Sequence, residues 1–144
     1  MGTATKLKTN TSLKALEKSA LKSICAFLNT DGGVLIIGVT DKERTILDLE
    51  NDYKTLQMQD NDGFQTHLIN LITQRLKIEF LKFIELSFPT IDNKEICKIK
   101  VYNSNKEVFY KEGNITPEFW VRTNNGSRLL PPPEAVEYIR EHWK

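Results

Sequence analysis

A helix that runs into two glycines and then into an unbroken apolar strand is the feature that most constrains this chain. Leu13, Leu16, Ala20, Leu21, Ile24 and Leu28 recur at helical spacing, with Lys14, Lys18 and Lys22 on the opposite side. That is the pattern of an amphipathic helix laid against a core. Asn29-Thr30-Asp31-Gly32-Gly33 stops it, because glycine enters the left-handed backbone region without a steric cost. Val34-Leu35-Ile36-Ile37-Gly38-Val39 follows, apolar on both sides of the pleat, and predicts a central strand covered on both faces.

The remaining pattern completes one domain. A second amphipathic helix is expected from about Asp62 to Leu76, carrying Phe64, Leu68, Leu71, Ile72 and Leu76. Alternation over 80–88 and 95–102 predicts a hairpin that turns at Ile91-Asp92-Asn93-Lys94. Two short strands are expected at 107–110 and 118–122, separated by a loop with Gly113 and Pro117. Pro133 sits in the first turn of a closing helix with Ala135, Val136, Ile139 and Trp143. The fold class is therefore α/β (α+β), a mixed β-sheet with a central apolar strand flanked by helices, over residues 13–144. Residues 1–12 are polar and read as a flexible N-terminal segment. With 144 residues, 40% of them hydrophobic, the chain buries roughly 70% of its unfolded surface and needs neither disulfide nor structural metal for a core.

Charge and composition exclude several classes. Lys+Arg 20 against Asp+Glu 19 gives a net charge of +1, which rules out the general basic excess of a histone-like binder. Any nucleic-acid contact must come from a local patch. Cys25 and Cys97 lie far apart in apolar runs with no CxxC or Cys/His cluster, as expected of buried thiols in a reducing cytoplasm. His67 and His142 have no HExxH and no cysteine nearby, so zinc has no ligand set. No apolar run has the length of a signal peptide or a bilayer span, so the expected location is cytoplasmic, with no membrane partner.

Three places carry candidate chemistry. The loop with Asn29, Gly32 and Gly33 invites a phosphate contact, but Walker and Rossmann cradles run strand, glycines, helix, whereas this loop follows the negative end of a helix; a plain helix stop is the alternative. Asp41, just past the apolar strand, heads an acidic stretch with Glu43, Asp48, Glu50 and Asp52 that suits a hard cation such as Mg²⁺ or Mn²⁺, or simply faces water. Asp60-Asn61-Asp62-Gly63 looks like part of a calcium loop, but the matching ligand positions hold Met58 and Ile69, so it reads as a turn and helix cap. In the last third, Lys106, Lys111, Arg122 and Arg128 surround two aromatic segments, Val108-Phe109-Tyr110 and Phe119-Trp120-Val121, with Asn124 and Ser127 between the arginines. Guanidinium, amide and hydroxyl donors suit phosphates, and an exposed ring suits a base. The alternative is a hairpin with core aromatics and solvated arginines.

Two of these segments together resemble a known family. The run from Ala26-Phe27 through Asn29, Gly32-Gly33 and Ile37-Gly38-Val39 to Asp41, and the later Phe119-Trp120-Val121-Arg122-Thr123-Asn124-Asn125-Gly126-Ser127-Arg128, are similar in kind and order to the hallmarks of the Schlafen AlbA_2 domain, formerly called divergent AAA-4. The resemblance spans nearly the whole chain. It implies a nucleic-acid (DNA)-binding domain of a larger bacterial or archaeal regulator-like protein; the residue pattern above then offers Lys106, Lys111, Arg122, Asn124, Ser127 and Arg128 to DNA or RNA. Some Schlafens are metal-dependent endoribonucleases, and Asp41 matches one of their three acidic residues. The two upstream glutamates have no counterpart, since residues 1–7 contain no acid, so the chain reads as a fragment of a longer protein and, alone, as no nuclease. A third reading, from the aromatic hairpin itself, is a homodimer or protein-docking module. The older family label suggests ATP, yet neither Walker motif is present, so no cofactor is expected beyond Mg²⁺ or Mn²⁺.

Overall fold

The computed structural model describes residues 10–39, 44–48, 53–56, 61–91, 94–124 and 126–144. Helix α1 (Asn10–Leu28) ends where the glycine pair requires, with the Gly32 N–H donating to the Phe27 carbonyl at 2.9 Å and Gly32 at φ +80°. Ala20, Leu21, Ile24 and Leu28 are buried as the spacing predicts. Ser23, Cys25, Ala26 and Phe27 are buried as well, so the last two turns are enclosed on all sides.

Strand β1 (Gly33–Val39) is central in a sheet of order β3-β2-β1-β6-β4, built with β2 (Arg44–Asp48), β3 (Tyr53–Leu56), β4 (Ile84–Ser87) and β6 (Lys94–Val101). A two-residue strand, β5 (Thr90–Ile91), pairs with β6, and every pairing among these strands is antiparallel. The α+β class expected from the sequence is the one observed. The register puts Leu35 opposite Ile99 and Ile37 opposite Cys97 on the helix-covered face, all four fully buried. The other face pairs Val34 with Lys100 and Ile36 with Lys98, and there both lysines are exposed. Coverage of β1 on both faces is thus corrected: Val34 and Ile36 are only half-buried. Lysine stems are long enough to shelter a neighbouring valine or isoleucine while their ammonium groups stay in water, so an all-apolar strand does not require a second helical layer.

Helix α2 (Asn61–Arg75) packs Leu68 and Ile72 into the same core, and Leu76 follows them. The strand expected from position 80 begins later, because Ile78–Phe83 forms a 3₁₀ turn that buries Phe80 before β4 starts. The 84–87 segment then alternates half-buried Ile84 and Leu86 with exposed Glu85 and Ser87. The hairpin with β6 is present, and its turn at Asp92 and Asn93 lies outside the described residues.

A second, two-stranded sheet joins β7 (Phe119–Thr123) to β8 (Gly126–Leu130). The predicted strand at 118–122 is β7. The one at 107–110 is irregular and holds a single bridge, Tyr110 to Glu118. Residues 126–130, to which the sequence pattern assigns no element, form β8, with Gly126 opposite Thr123 at φ +127° in a tight hairpin. Helix α3 (Pro132–His142) begins with proline in its first turn, where the missing N–H has no partner to lose. Its Ala135, Tyr138 and Ile139 pack on Phe119 and Val121 as a smaller core.

Candidate nucleic-acid interface

The corner between α1 and β1 is held by side chains that the sequence offered to a phosphate. Asn29 is completely buried. Its Nδ2 donates to the carbonyls of Val108 at 2.8 Å and Trp120 at 2.9 Å, while its Oδ1 accepts the Val108 N–H at 2.8 Å. An amide matches one N–H and two C=O groups where no sheet ladder exists to pair them, so Asn29 ties an irregular segment and β7 to the end of α1. Both Nδ2 hydrogens are used in this way. Thr30 Oγ1 donates to the Ala26 carbonyl at 2.8 Å and accepts the Arg122 N–H at 2.9 Å. The Tyr138 hydroxyl donates to the Asn29 carbonyl at 2.6 Å, so α3 joins the same knot. A Cβ on Gly32 would stand 2.5 Å from the Val101 carbonyl oxygen, and one on Gly33 2.4 Å from the Phe27 ring. The glycines are required by close packing inside the protein.

The hairpin places its two arginines on opposite sides. Arg122 lies across from Ser127 on the face of Trp120, toward α1; its guanidinium carbon is 5.0 Å from the centre of the Phe27 ring, and Nη1 donates to Ser127 Oγ at 3.4 Å. Arg128 lies across from Val121, on the face that α3 covers further along, and its side chain is exposed. Asn124 is exposed at the turn.

Lys106 and Lys111 come together elsewhere. With Arg75 and Lys77 from the end of α2, they line a hollow of about 490 Å³ that also includes Glu79, Glu107, Phe80 and Phe109. Neither Arg122 nor Arg128 lines it. The Lys111 N–H donates to the Arg75 carbonyl at 2.9 Å and fastens the 102–118 segment to α2. Lys106 Nζ is 2.8 Å from Glu79 Oε2, an exposed pair in which the hydrogen bond raises the lysine pKa and lowers that of the carboxyl. Such a pair contributes little to stability and is easily redirected to a ligand. Lys77 has φ +104° and ψ +144°, a conformation that costs a side-chain-bearing residue about 1–3 kcal/mol.

Sequence reasoning found Lys106 and Lys111 but not Arg75 and Lys77. A basic residue at a helix C-terminus balances the helix dipole wherever it occurs, so nothing in the local pattern marks these two as part of a site. Beside the hollow lies a second, apolar groove of about 500 Å³ between the 109–119 segment, β8 and α3. Phe109 and Pro117 belong to the walls of both.

The two cysteines are buried thiols without a disulfide, and burial pushes each up to about 12. Glu17 Oε2 meets His67 Nε2 at 2.6 Å. Among the described residues no three His, Cys, Asp or Glu gather as a metal site, and Asp41 lies outside them. No helix among the described residues is long and apolar enough to cross a membrane.

Comparison with solved structures gives no match. Comparison with protein families matches "Schlafen, AlbA_2" over residues 3–131. That span contains Asn29 with its Val108 and Trp120 partners, both glycines, the cationic hollow and the arginine hairpin, and it covers most of the chain: the protein belongs to the Schlafen AlbA_2 family.

Proposed function

We propose that this chain is a nucleic-acid-binding domain that holds the phosphate backbone chiefly through Lys106 and Lys111. The supporting observation is the gathering of these two lysines with Arg75 and Lys77 around one solvent-facing hollow, where four cations face two carboxylates, Glu79 and Glu107. Arg128 and Asn124, both exposed at the hairpin, serve as an outlying backbone contact, while the Ser127 hydroxyl lies on the other face beside Arg122. Arg122 acts mainly from within, holding the hairpin to α1 through Phe27 and Thr30. Family membership supports association with nucleic acid in general.

Counterion release makes the reading testable. Replacing Lys106 and Lys111 with alanine removes two phosphate contacts, which lowers the slope of log affinity against log salt by roughly 1.4 on a single strand. Fluorescence anisotropy with labelled DNA and RNA across a salt series measures it. An unchanged slope in the double variant would remove the hollow from the interface. A homodimer and a cytoplasmic, regulator-like setting belong to the same proposal, and light scattering reads the first directly. The metal-dependent nuclease reading depends on Asp41 and is tested apart, by cleavage of labelled transfer RNA with and without Mg²⁺ or Mn²⁺ in the Asp41→Ala variant.

A further inference from the structure

The cationic hollow and the apolar groove meet along a ridge formed by Phe109 and Pro117. Phe109 is 39% exposed, yet its ring is fixed from behind by the buried Phe119, with ring centres 5.4 Å apart. Beyond it the groove offers Ile115, Leu129 and Val136, each about half exposed. A backbone anion and a flat apolar group therefore have adjacent sites, separated by one anchored ring.

We infer that the ridge reads an unpaired nucleotide, with its phosphate among Lys106, Lys111, Arg75 and Lys77 and its base laid on Phe109 toward the apolar groove, so that the domain selects single strands over duplex. This rests on the nucleic-acid reading above and extends it to a strand class. In a duplex both faces of every base are already stacked and the phosphates line the outside, so a duplex fills the hollow but leaves Phe109 uncovered. The charge supports this occupant over a purely apolar one. The hollow carries two more cations than carboxylates, and no uncharged partner would compensate them. Because Phe119 already holds the Phe109 ring, stacking costs little side-chain entropy.

The test compares the binding of labelled oligothymidylate and oligouridylate of about 12 nucleotides with that of a blunt hairpin duplex, by anisotropy at low salt. Single strands are expected to bind at least tenfold more tightly. Phe109→Leu, which retains apolar packing against Phe119, lowers single-strand affinity by about 5- to 100-fold with an unchanged salt slope, and Phe109→Trp retains it. Circular dichroism melting of both variants separates lost stacking from lost folding. If duplex and single strand bind equally and Phe109→Leu matches wild type, the strand inference fails while the nucleic-acid reading stands. If neither binds at low salt, both fail. Self-association lost on Leu129→Ser, without any single-strand preference, would assign the groove to a second copy of the chain and overturn the inference.

Discussion

Replacing Asn29 with alanine separates a structural clamp from a phosphate ligand. The substitution strands the Val108 N–H and removes the side-chain donor from the Trp120 carbonyl, while the Val108 carbonyl keeps a weak contact from Cys25 Sγ at 3.4 Å. Each buried polar group left unpaired costs about 1–3 kcal/mol, so Asn29→Ala is expected to lose about 3–5 kcal/mol. That is a large share of the roughly 5–15 kcal/mol available to a domain, and corresponds to a melting temperature lower by roughly 6–20 °C. Asn29→Asp is expected to be at least as harmful at neutral pH, since it turns a carboxylate toward two carbonyl oxygens. Its stability recovers partly in acid, because a buried carboxyl titrates above its ordinary range and, once protonated, regains one donor. Urea unfolding followed by circular dichroism measures both variants, and anisotropy measures nucleic-acid binding of the folded fraction. A variant within about 0.5 kcal/mol of wild type that no longer binds nucleic acid would refute the clamp and restore Asn29 to the interface.

Two further predictions concern strain and alkaline pH. Lys77→Gly relieves a backbone cost of about 1–3 kcal/mol against roughly 0.5–1 kcal/mol of extra chain entropy, so the protein should melt a few degrees higher while its single-strand salt slope falls by about 0.7; a lower melting temperature would contradict the strain argument. Cys25, Cys97 and Tyr110 all keep their protons in the folded state up to about 12, chiefly through burial, whereas the unfolded chain loses them nearer 9 for the thiols and 10 for the phenol. The folded state thus holds more protons across that window, and stability should be level below about pH 9 and fall as pH rises toward 12. Urea midpoints that stay constant from about pH 9 to 11.5 would overturn this assignment.

Much of the architecture was legible in local pattern. The α1 face, the glycine stop, the pairing of β4 with β6, α2 and the proline-led α3 each follow from periodicity or from residues with special backbone freedom. What failed depended on partners distant in sequence. The 107–110 segment alternates like a strand, yet Asn29 supplies the hydrogen bonds that an adjacent strand would have provided. The local pattern assigns no element to 126–130, because polar Ser127 and Arg128 give no alternation, yet Leu129 and Leu130 continue the ladder with Trp120 and Phe119.

The candidate site divides along the same line. The sequence by itself determined the family motifs, the near-neutral charge and the identity of the cations in the last third, because these are properties of composition and order. Only the tertiary structure decided which cations lie together. It placed Lys106 and Lys111 with Arg75 and Lys77, set Arg122 and Arg128 on opposite faces of a hairpin, and enclosed Asn29. The physical reason is that a charged patch depends on distances in space. Here those distances are fixed by strand alternation and by the Lys111 to Arg75 bond, which joins residues 36 positions apart.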